Sequence, residues 1–121
     1  MATILIVDDD DAIRGTLYDL LSPEYECHTA STAEQALQYL EVEQYGAVLT
    51  DIAMSGLDGL QLLKQVQLRD LETPVILISG KGGEEDGGRL IALGAFAYIT
   101  KPFRLEEIEE TVERAVKSEQ A

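Results

Sequence analysis

The chain is poor in cysteine, in histidine and in basic residues. Its one cysteine, Cys27, cannot form an internal disulfide, so a reducing, cytosolic setting is expected. Only 9 lysines and arginines stand against 23 aspartates and glutamates, and the formal charge of -14 argues against binding to nucleic acid or to an anionic membrane. A basic leader and a long apolar run are also missing, so we expect neither a signal peptide nor a membrane span.

What is present is a regular alternation of apolar runs and helical patterns. At 121 residues, 45% of them hydrophobic, residues 1–121 are expected to form one domain with its own core. Strands are predicted at residues 3–7, 25–29, 47–51, 75–79 and 97–101. Helices are predicted from Asp10 or Asp11 to about 21, from a capping box at Ser31 and Glu34, and at about 58–68, 84–93 and 105–117.

Strands that alternate with helices indicate an α/β protein with a parallel sheet covered on both faces. Five such units and a central site favour the doubly wound strand order 2-1-3-4-5. The fourth helix is the weakest prediction, because half of the ten glycines lie between positions 80 and 88. Gly94 is expected to take the left-handed position that ends this helix.

Four of the predicted strands end on polar side chains that can do chemistry. Ligands bind at the carboxyl edge of an open α/β sheet, so these side chains should meet at one site. They are Asp8 and Asp9 after the first strand, Asp51 at the end of the third, Ser79 at the end of the fourth and Lys101 at the end of the fifth.

Three carboxylates in a small site repel one another unless a cation offsets their charge. No Cys or His accompanies them, so a hard metal is expected, and Mg²⁺ combines carboxylates with water while leaving room for a phosphate. Lys101 can pair with an anionic oxygen and Ser79 can donate a hydrogen bond. Asp51 is then a plausible nucleophile toward phosphorus, giving an aspartyl phosphate.

Five short segments carry a family resemblance. They are Ile6–Asp9, Thr50–Met54, Asp58–Gly59, Ile78–Gly80 and Tyr98–Phe103. In this order and spacing the sequence resembles the receiver domain of two-component response regulators along nearly its whole length. The resemblance implies a flavodoxin-like (βα)5 fold and a phosphoacceptor signalling domain rather than an enzyme that acts on other substrates.

The resemblance also implies partners and roles. A sensor histidine kinase or a phosphotransfer protein would phosphorylate Asp51. Asp9 would bind Mg²⁺ directly and Asp8 through water, with Asp51 and the backbone carbonyl of Ala53 as further ligands. The signal would pass to an output domain or a downstream protein through the face formed by helix 4, strand 5 and helix 5.

Further positions are assigned by the same match. Lys101 and Ser79 would contact the phosphoryl group, and Ser79 and Tyr98 would form the switch, with Tyr98 turning inward. The bond between Lys101 and Pro102 would be cis, which X-Pro chemistry permits. Ser55 departs from the family, which usually has proline at this position.

Other functions remain as alternatives. A phosphohydrolase of the haloacid-dehalogenase type also uses an aspartate at a strand end, but it needs a second aspartate where this chain has Ala53. A P-loop is absent around Lys81, since the required glycine and hydroxyl residue are missing. A receiver that has lost phosphorylation and serves only for docking is a third alternative. His28, on a polar edge strand, is expected to be exposed and without a role, and Cys27 to be a small buried hydrophobe.

Overall fold

The computed structural model describes residues 1–54, 56–69, 72–80 and 87–120. Five strands form one parallel sheet in the order β2-β1-β3-β4-β5, which confirms the predicted doubly wound fold. The strands are β1 Thr3–Val7, β2 Glu26–Ala30, β3 Ala47–Asp51, β4 Val75–Ser79 and β5 Ala97–Thr100. The helices are α1 Asp11–Leu21, α2 Ala33–Val42, α3 Gly59–Leu68, α4 Gly87–Ala92 and α5 Leu105–Gln120.

Two apolar cores lie on the two faces of the sheet. Successive residues of a strand point to opposite faces, so β1 gives Leu5 and Val7 to one core and Ile4 and Ile6 to the other. The first core is closed mainly by α2 and α3, and the second by α1 and α5. The central strands β3 and β4 are buried at every position, which explains why they read as unbroken apolar runs.

Capping residues set where the helices begin. Of the two candidates for α1, the N-cap is Asp10, whose Oδ1 accepts hydrogen bonds from the N–H groups of Ala12 and Ile13 at 2.9 and 3.2 Å. In α3 the capping box is complete, because Asp58 and Gln61 each accept a hydrogen bond from the other's backbone N–H.

The capping box predicted at Ser31 and Glu34 is wrong by one residue. Thr32 is the N-cap of α2, and its Oγ1 accepts from the N–H of Gln35 at 3.0 Å. Gln35 Oε1 in turn accepts from the N–H of Ser31 at 3.0 Å. Ser31 and Glu34 have the spacing of a capping box, but the helix begins at Ala33, which is buried in the core.

Several ends differ slightly from the prediction. β2 lies one residue further along the chain than predicted, β5 ends one residue earlier, and α5 continues to Gln120. The predicted start of α4 near Glu84 lies outside the described residues. Gly94 has φ +111°, and the N–H groups of Gly94 and Ala95 bond back into the last turn of α4, closing the helix as expected.

Cys27 lies half-buried on edge strand β2 and packs against the core under α1 and α5. Burial raises the pKa of its thiol to about 11, so the thiolate is scarce at neutral pH. Among the helices of the described residues, none is long and apolar enough to cross a membrane.

Candidate functional site

The parallel register brings the polar strand ends to one edge of the sheet. Val7 pairs with Thr50, so Asp8 lies beside Asp51 across the β1–β3 pair. Asp51 itself pairs with Ile78, the residue before Ser79. On the far side of β4, Ser79 pairs with Thr100, and the N–H of Lys101 donates to the carbonyl of Ser79 at 2.9 Å.

The Lys101 ammonium reaches back over this edge toward two carboxylates. Its Nζ lies 3.2 Å from Asp51 Oδ2 and 3.9 Å from Asp8 Oδ2. Asp8, Asp9 and Asp51 each place a carboxylate oxygen within 4.8 Å of the others. Asp8 and Asp51 are 0% and 5% exposed, whereas Asp9 faces solvent. One lysine thus stands against three carboxylates, two of them buried.

Three buried oxygens at this edge have no hydrogen-bond partner among the described residues. They are Asp8 Oδ2, Asp51 Oδ1 and Ser79 Oγ. Leaving a buried polar group unpaired costs roughly 1–3 kcal/mol, and more when the group is charged. Such groups in a native fold call for an explanation, and a bound ion or ligand is one of them. The donor set, carboxylate and hydroxyl oxygens alone, fits a hard cation such as Mg²⁺.

The loop after β1 holds Asp8 in place. The N–H of Asp10 donates to Asp8 Oδ1 at 2.8 Å, and Arg14 Nη1 donates to the carbonyl of Asp8 at 2.8 Å. Burial raises the pKa of the Asp8 carboxyl, and the charge of Asp51 adds to the rise, while the Asp10 hydrogen bond and Lys101 oppose it. The net effect is that the metal-free fold disfavours the ionised form of Asp8.

Sequence reasoning missed the part played by Arg14. It also pairs with Asp11, three residues earlier on α1. That spacing places the two side chains on one helix face, and it is the only signal of Arg14 in the sequence. Its bond to the carbonyl of Asp8 joins residues six apart across the end of a strand, which no periodicity reports.

The loop after β3 is held by a close approach of α3. The N–H of Gly59 donates to the carbonyl of Ile52 at 2.9 Å. A Cβ at Gly59 would lie 2.4 Å from the carbonyl oxygen of Asp51 and 2.8 Å from the Cα of Ile52. Only glycine permits this contact, so Gly59 sets the position of the backbone that carries Asp51.

The remaining predicted positions lie near the same edge. Ala53 is exposed, two residues beyond Asp51. Tyr98 pairs with Leu77 in the sheet and is 38% exposed, so its ring is turned outward rather than into the fold. The Lys101–Pro102 peptide bond is cis. Position 55, where serine replaces the usual proline, is outside the described residues.

Comparison with known proteins agrees with this geometry. The sequence model of the response regulator receiver domain matches residues 4–113. Regulatory protein AtoC of Escherichia coli (strain K12) is 36% identical over 114 residues, which is 93% of this chain and 25% of AtoC. Transcriptional regulatory protein CiaR of Streptococcus pneumoniae (strain ATCC BAA-255 / R6) is 31% identical over 117 residues, 97% of this chain and 52% of CiaR.

A solved structure shows the same architecture. The receiver domain of the Francisella response regulator 1452 superposes with a TM-score of 0.91 at 27% identity, covering 98% of each chain. The chain therefore belongs to the response regulator receiver domain family and is a signalling domain of two-component systems. It spans about a quarter of AtoC and half of CiaR.

Proposed function

We propose that Asp51 accepts a phosphoryl group from the phosphohistidine of a sensor histidine kinase or of a phosphotransfer protein. The observation that carries this proposal is a group of three buried oxygens on Asp8, Asp51 and Ser79, beside the Lys101 ammonium, that have no hydrogen-bond partner in the described part of the chain. A phosphoryl group on Asp51 would give Ser79 Oγ an acceptor and would bring anionic oxygens to Lys101.

In the transfer, an oxygen of the Asp51 carboxylate attacks phosphorus. The new P–O bond forms as the P–N bond to the donor imidazole breaks, and the leaving nitrogen takes up a proton. Phosphoryl transfer depends on positioning and on charge stabilisation more than on covalent help from the protein. Lys101 supplies a fixed positive charge, Ser79 can donate to a phosphoryl oxygen, and Gly59 and Arg14 hold the two loops in place.

Asp8, Asp9, Asp51 and the carbonyl of Ala53 would hold Mg²⁺. The three carboxylates already lie within reach of one ion, and oxygen ligands are the ones this cation prefers. When bound, Mg²⁺ supplies positive charge that offsets the repulsion among the carboxylates and the incoming phosphoryl oxygens.

Ser79 and Tyr98 would carry the signal to the surface. If Ser79 moves toward the phosphoryl group, the outward ring of Tyr98 can turn into the space behind it. The side chains of Ile91, Leu93, Tyr98 and Leu105 are 38–46% exposed on or next to α4, β5 and α5. This face is the proposed contact with an output domain or a downstream protein, and a single receiver domain over residues 1–121 is the unit that would present it.

Acetyl phosphate labelling tests the acceptor. With Mg²⁺, the wild-type domain should gain the mass of one phosphoryl group, and Asp51→Asn should gain none. The matched control is Asp19→Asn, which removes an exposed carboxylate of α1 and should label like wild type. Equal labelling of Asp51→Asn and wild type would place the acceptor elsewhere. Labelling without any need for Mg²⁺ would refute the metal assignment alone.

A turnover assay with a simple phosphate ester tests the alternative of a phosphohydrolase. A receiver takes up one phosphoryl group for each chain. This chain has Ala53 at the position where the hydrolase needs its second aspartate as a general acid. Steady release of phosphate from a simple phosphate ester, at many turnovers for each chain, would favour the hydrolase.

A further inference from the structure

A second cluster of metal-ligating side chains lies outside the strand-end site. Glu26 and His28 are two residues apart on edge strand β2, so both side chains point to the same face of the sheet. Glu43 ends α2 as its C-cap, with its N–H bonded to the carbonyl of Tyr39. One imidazole nitrogen and one oxygen from each carboxylate lie within 4.8 Å of one another.

We propose that Glu26, His28 and Glu43 bind a divalent transition-metal ion, with Zn²⁺ as the best fit. His28 Nε2 lies 3.0 Å from Glu26 Oε2 and 4.0 Å from Glu43 Oε2. In a tetrahedral zinc site with bonds of about 2.0–2.2 Å, neighbouring ligand atoms lie about 3.3–3.5 Å apart. The two distances bracket this value, so His28 Nε2 is within about half an ångström of tetrahedral ligand spacing from each carboxylate.

The other nitrogen of His28 supplies the second argument. Its Nδ1 lies 2.7 Å from the hydroxyl of Tyr45, a residue that is only 3% exposed. The two rings meet edge to face at 85°, which fixes the plane of the imidazole. Histidines that bind metals usually donate their second N–H to such a partner, and this partner orients the ligand. The sequence-based expectation that His28 is exposed is wrong, since its side chain is half-buried and contacts the ring of Tyr45.

When the ion binds, the protons of His28 and its partners Glu26 and Tyr45 are rearranged without a net gain or loss. Without metal, the contact of Nε2 with Glu26 needs a proton on Nε2, and the Tyr45 hydroxyl donates to Nδ1. With metal, the Nε2 lone pair faces the ion, Nδ1 carries the remaining proton and donates to Tyr45 Oη, and no net proton is needed from outside. If the ring starts doubly protonated, one proton leaves to solvent.

The chemistry of this cluster differs from that of the strand-end site. An imidazole among carboxylates suits Zn²⁺ and similar transition metals, whereas oxygens alone suit Mg²⁺. A recess of ≈ 390 Å³ lies beside His28 and Glu43, so water can approach this cluster. A bound ion would tie the start of edge strand β2 to the end of α2, so it should stabilise the domain without taking part in phosphorylation.

Calorimetric titration of the tag-free chain with zinc chloride, in excess Mg²⁺, tests the proposal. Wild type and Asp51→Asn should bind one Zn²⁺ with equal affinity. His28→Gln should lose binding, and Glu26→Gln and Glu43→Gln should each weaken it at least tenfold. The matched control is Glu24→Gln, an exposed glutamate nearby that should have no effect. Tyr45→Phe keeps the ligands and should weaken binding by about 10–100-fold.

A spectroscopic measurement keeps the test decisive if His28→Gln fails to fold. The chain has one histidine, so the ring ¹⁵N signals belong to His28 alone. Zn²⁺ should move the Nε2 resonance and leave Nδ1 protonated. The proposal is overturned if Asp51→Asn abolishes the binding of Zn²⁺, if His28→Gln binds Zn²⁺ as tightly as wild type, or if Zn²⁺ leaves the His28 nitrogen resonances unchanged.

Discussion

The two metal-ligating clusters of this domain both bring carboxylates together, but they differ in burial. At the strand ends, Asp8 and Asp51 are 0% and 5% exposed, and each has an oxygen without a hydrogen-bond partner among the described residues. On β2 and α2, the side chains of Glu26 and Glu43 are 60% and 40% exposed, and His28 lies between them. Burial, rather than the number of charges, therefore decides how much a cluster destabilises the resting fold.

Addition of Mg²⁺ should give the largest change in the free energy of unfolding. It should act through the strand-end cluster and not through the cluster on β2 and α2. At a hundredfold excess over its dissociation constant, an ion that binds only the folded chain adds about 2.7 kcal/mol to the free energy of unfolding. Asp9→Ala should abolish most of this gain, and Glu26→Gln should leave it intact. Urea denaturation with and without Mg²⁺ measures both. An unchanged midpoint for the wild type would mean that the strand-end site does not hold the ion.

Removing the lysine should expose the repulsion within the buried cluster. Lys101→Met keeps the length of the side chain but leaves Asp51 and Asp8 without their cation. Because a hydrogen bond to a charged group contributes about 1.5–3 kcal/mol, we expect a loss of about 2 kcal/mol in the metal-free domain. Lys117→Met is the control, since its partner Glu113 is exposed and the pair is worth little. Equal effects of the two variants would contradict the proposed role of burial.

The pH dependence of the stability tests whether the buried charge of Asp8 destabilises the strand-end cluster. Burial and the charge of Asp51 raise the pKa of the Asp8 carboxyl above its ordinary value of 3.8, so its ionised form destabilises the metal-free fold. This cost is absent below pH 3.8, grows as the pH rises through the folded pKa, and is complete above it. At pH 7, Asp8→Asn should therefore stabilise the metal-free domain by about 1 kcal/mol, seen as a higher melting temperature, and the difference should vanish below pH 3.8. A gain that is independent of pH would show that ionisation of Asp8 is not the cause.

Removing a charge from the exposed cluster of Glu26, His28 and Glu43 should change the stability of the domain least. Without transition metal, Glu26→Gln should change stability by less than about 0.5 kcal/mol, because surface charges are well solvated. Chemical denaturation in a chelator measures this. A loss as large as that of Lys101→Met would mean that the cluster contributes to the metal-free fold, and burial would no longer distinguish the two regions.

The fold was predictable because its signals are local. Unbroken apolar runs mark β3 and β4, which are buried on both faces, and the strand order follows from regular alternation and connection rules. The side chains at the strand ends could be placed together for the same reason, since parallel strands share one carboxyl edge. The start of α2 was missed because serine is the stronger N-cap by preference, whereas Thr32 caps the helix and Ala33 is buried in the core.

Contacts between residues far apart in the chain could not be predicted. Tyr45 lies 17 positions from His28, and no periodicity links an edge strand to the loop after α2. The role of Gly59 was hidden for a similar reason. A glycine after an aspartate reads as a helix start, whereas its 2.4 Å approach to the Asp51 carbonyl is a property of the packed fold. The sequence thus indicates which side chains lie at the edge, and packing decides how they are held.

Borohydride trapping of the phosphorylated domain tests the central claim most directly. Reduction of an aspartyl phosphate converts that aspartate to homoserine, which peptide mass spectrometry locates. After acetyl phosphate with Mg²⁺, we expect homoserine at position 51 alone, and none when a chelator removes the metal. Homoserine at position 8 or 9, or an unmodified Asp51 in a chain that carries phosphate, would contradict the assignment of the acceptor.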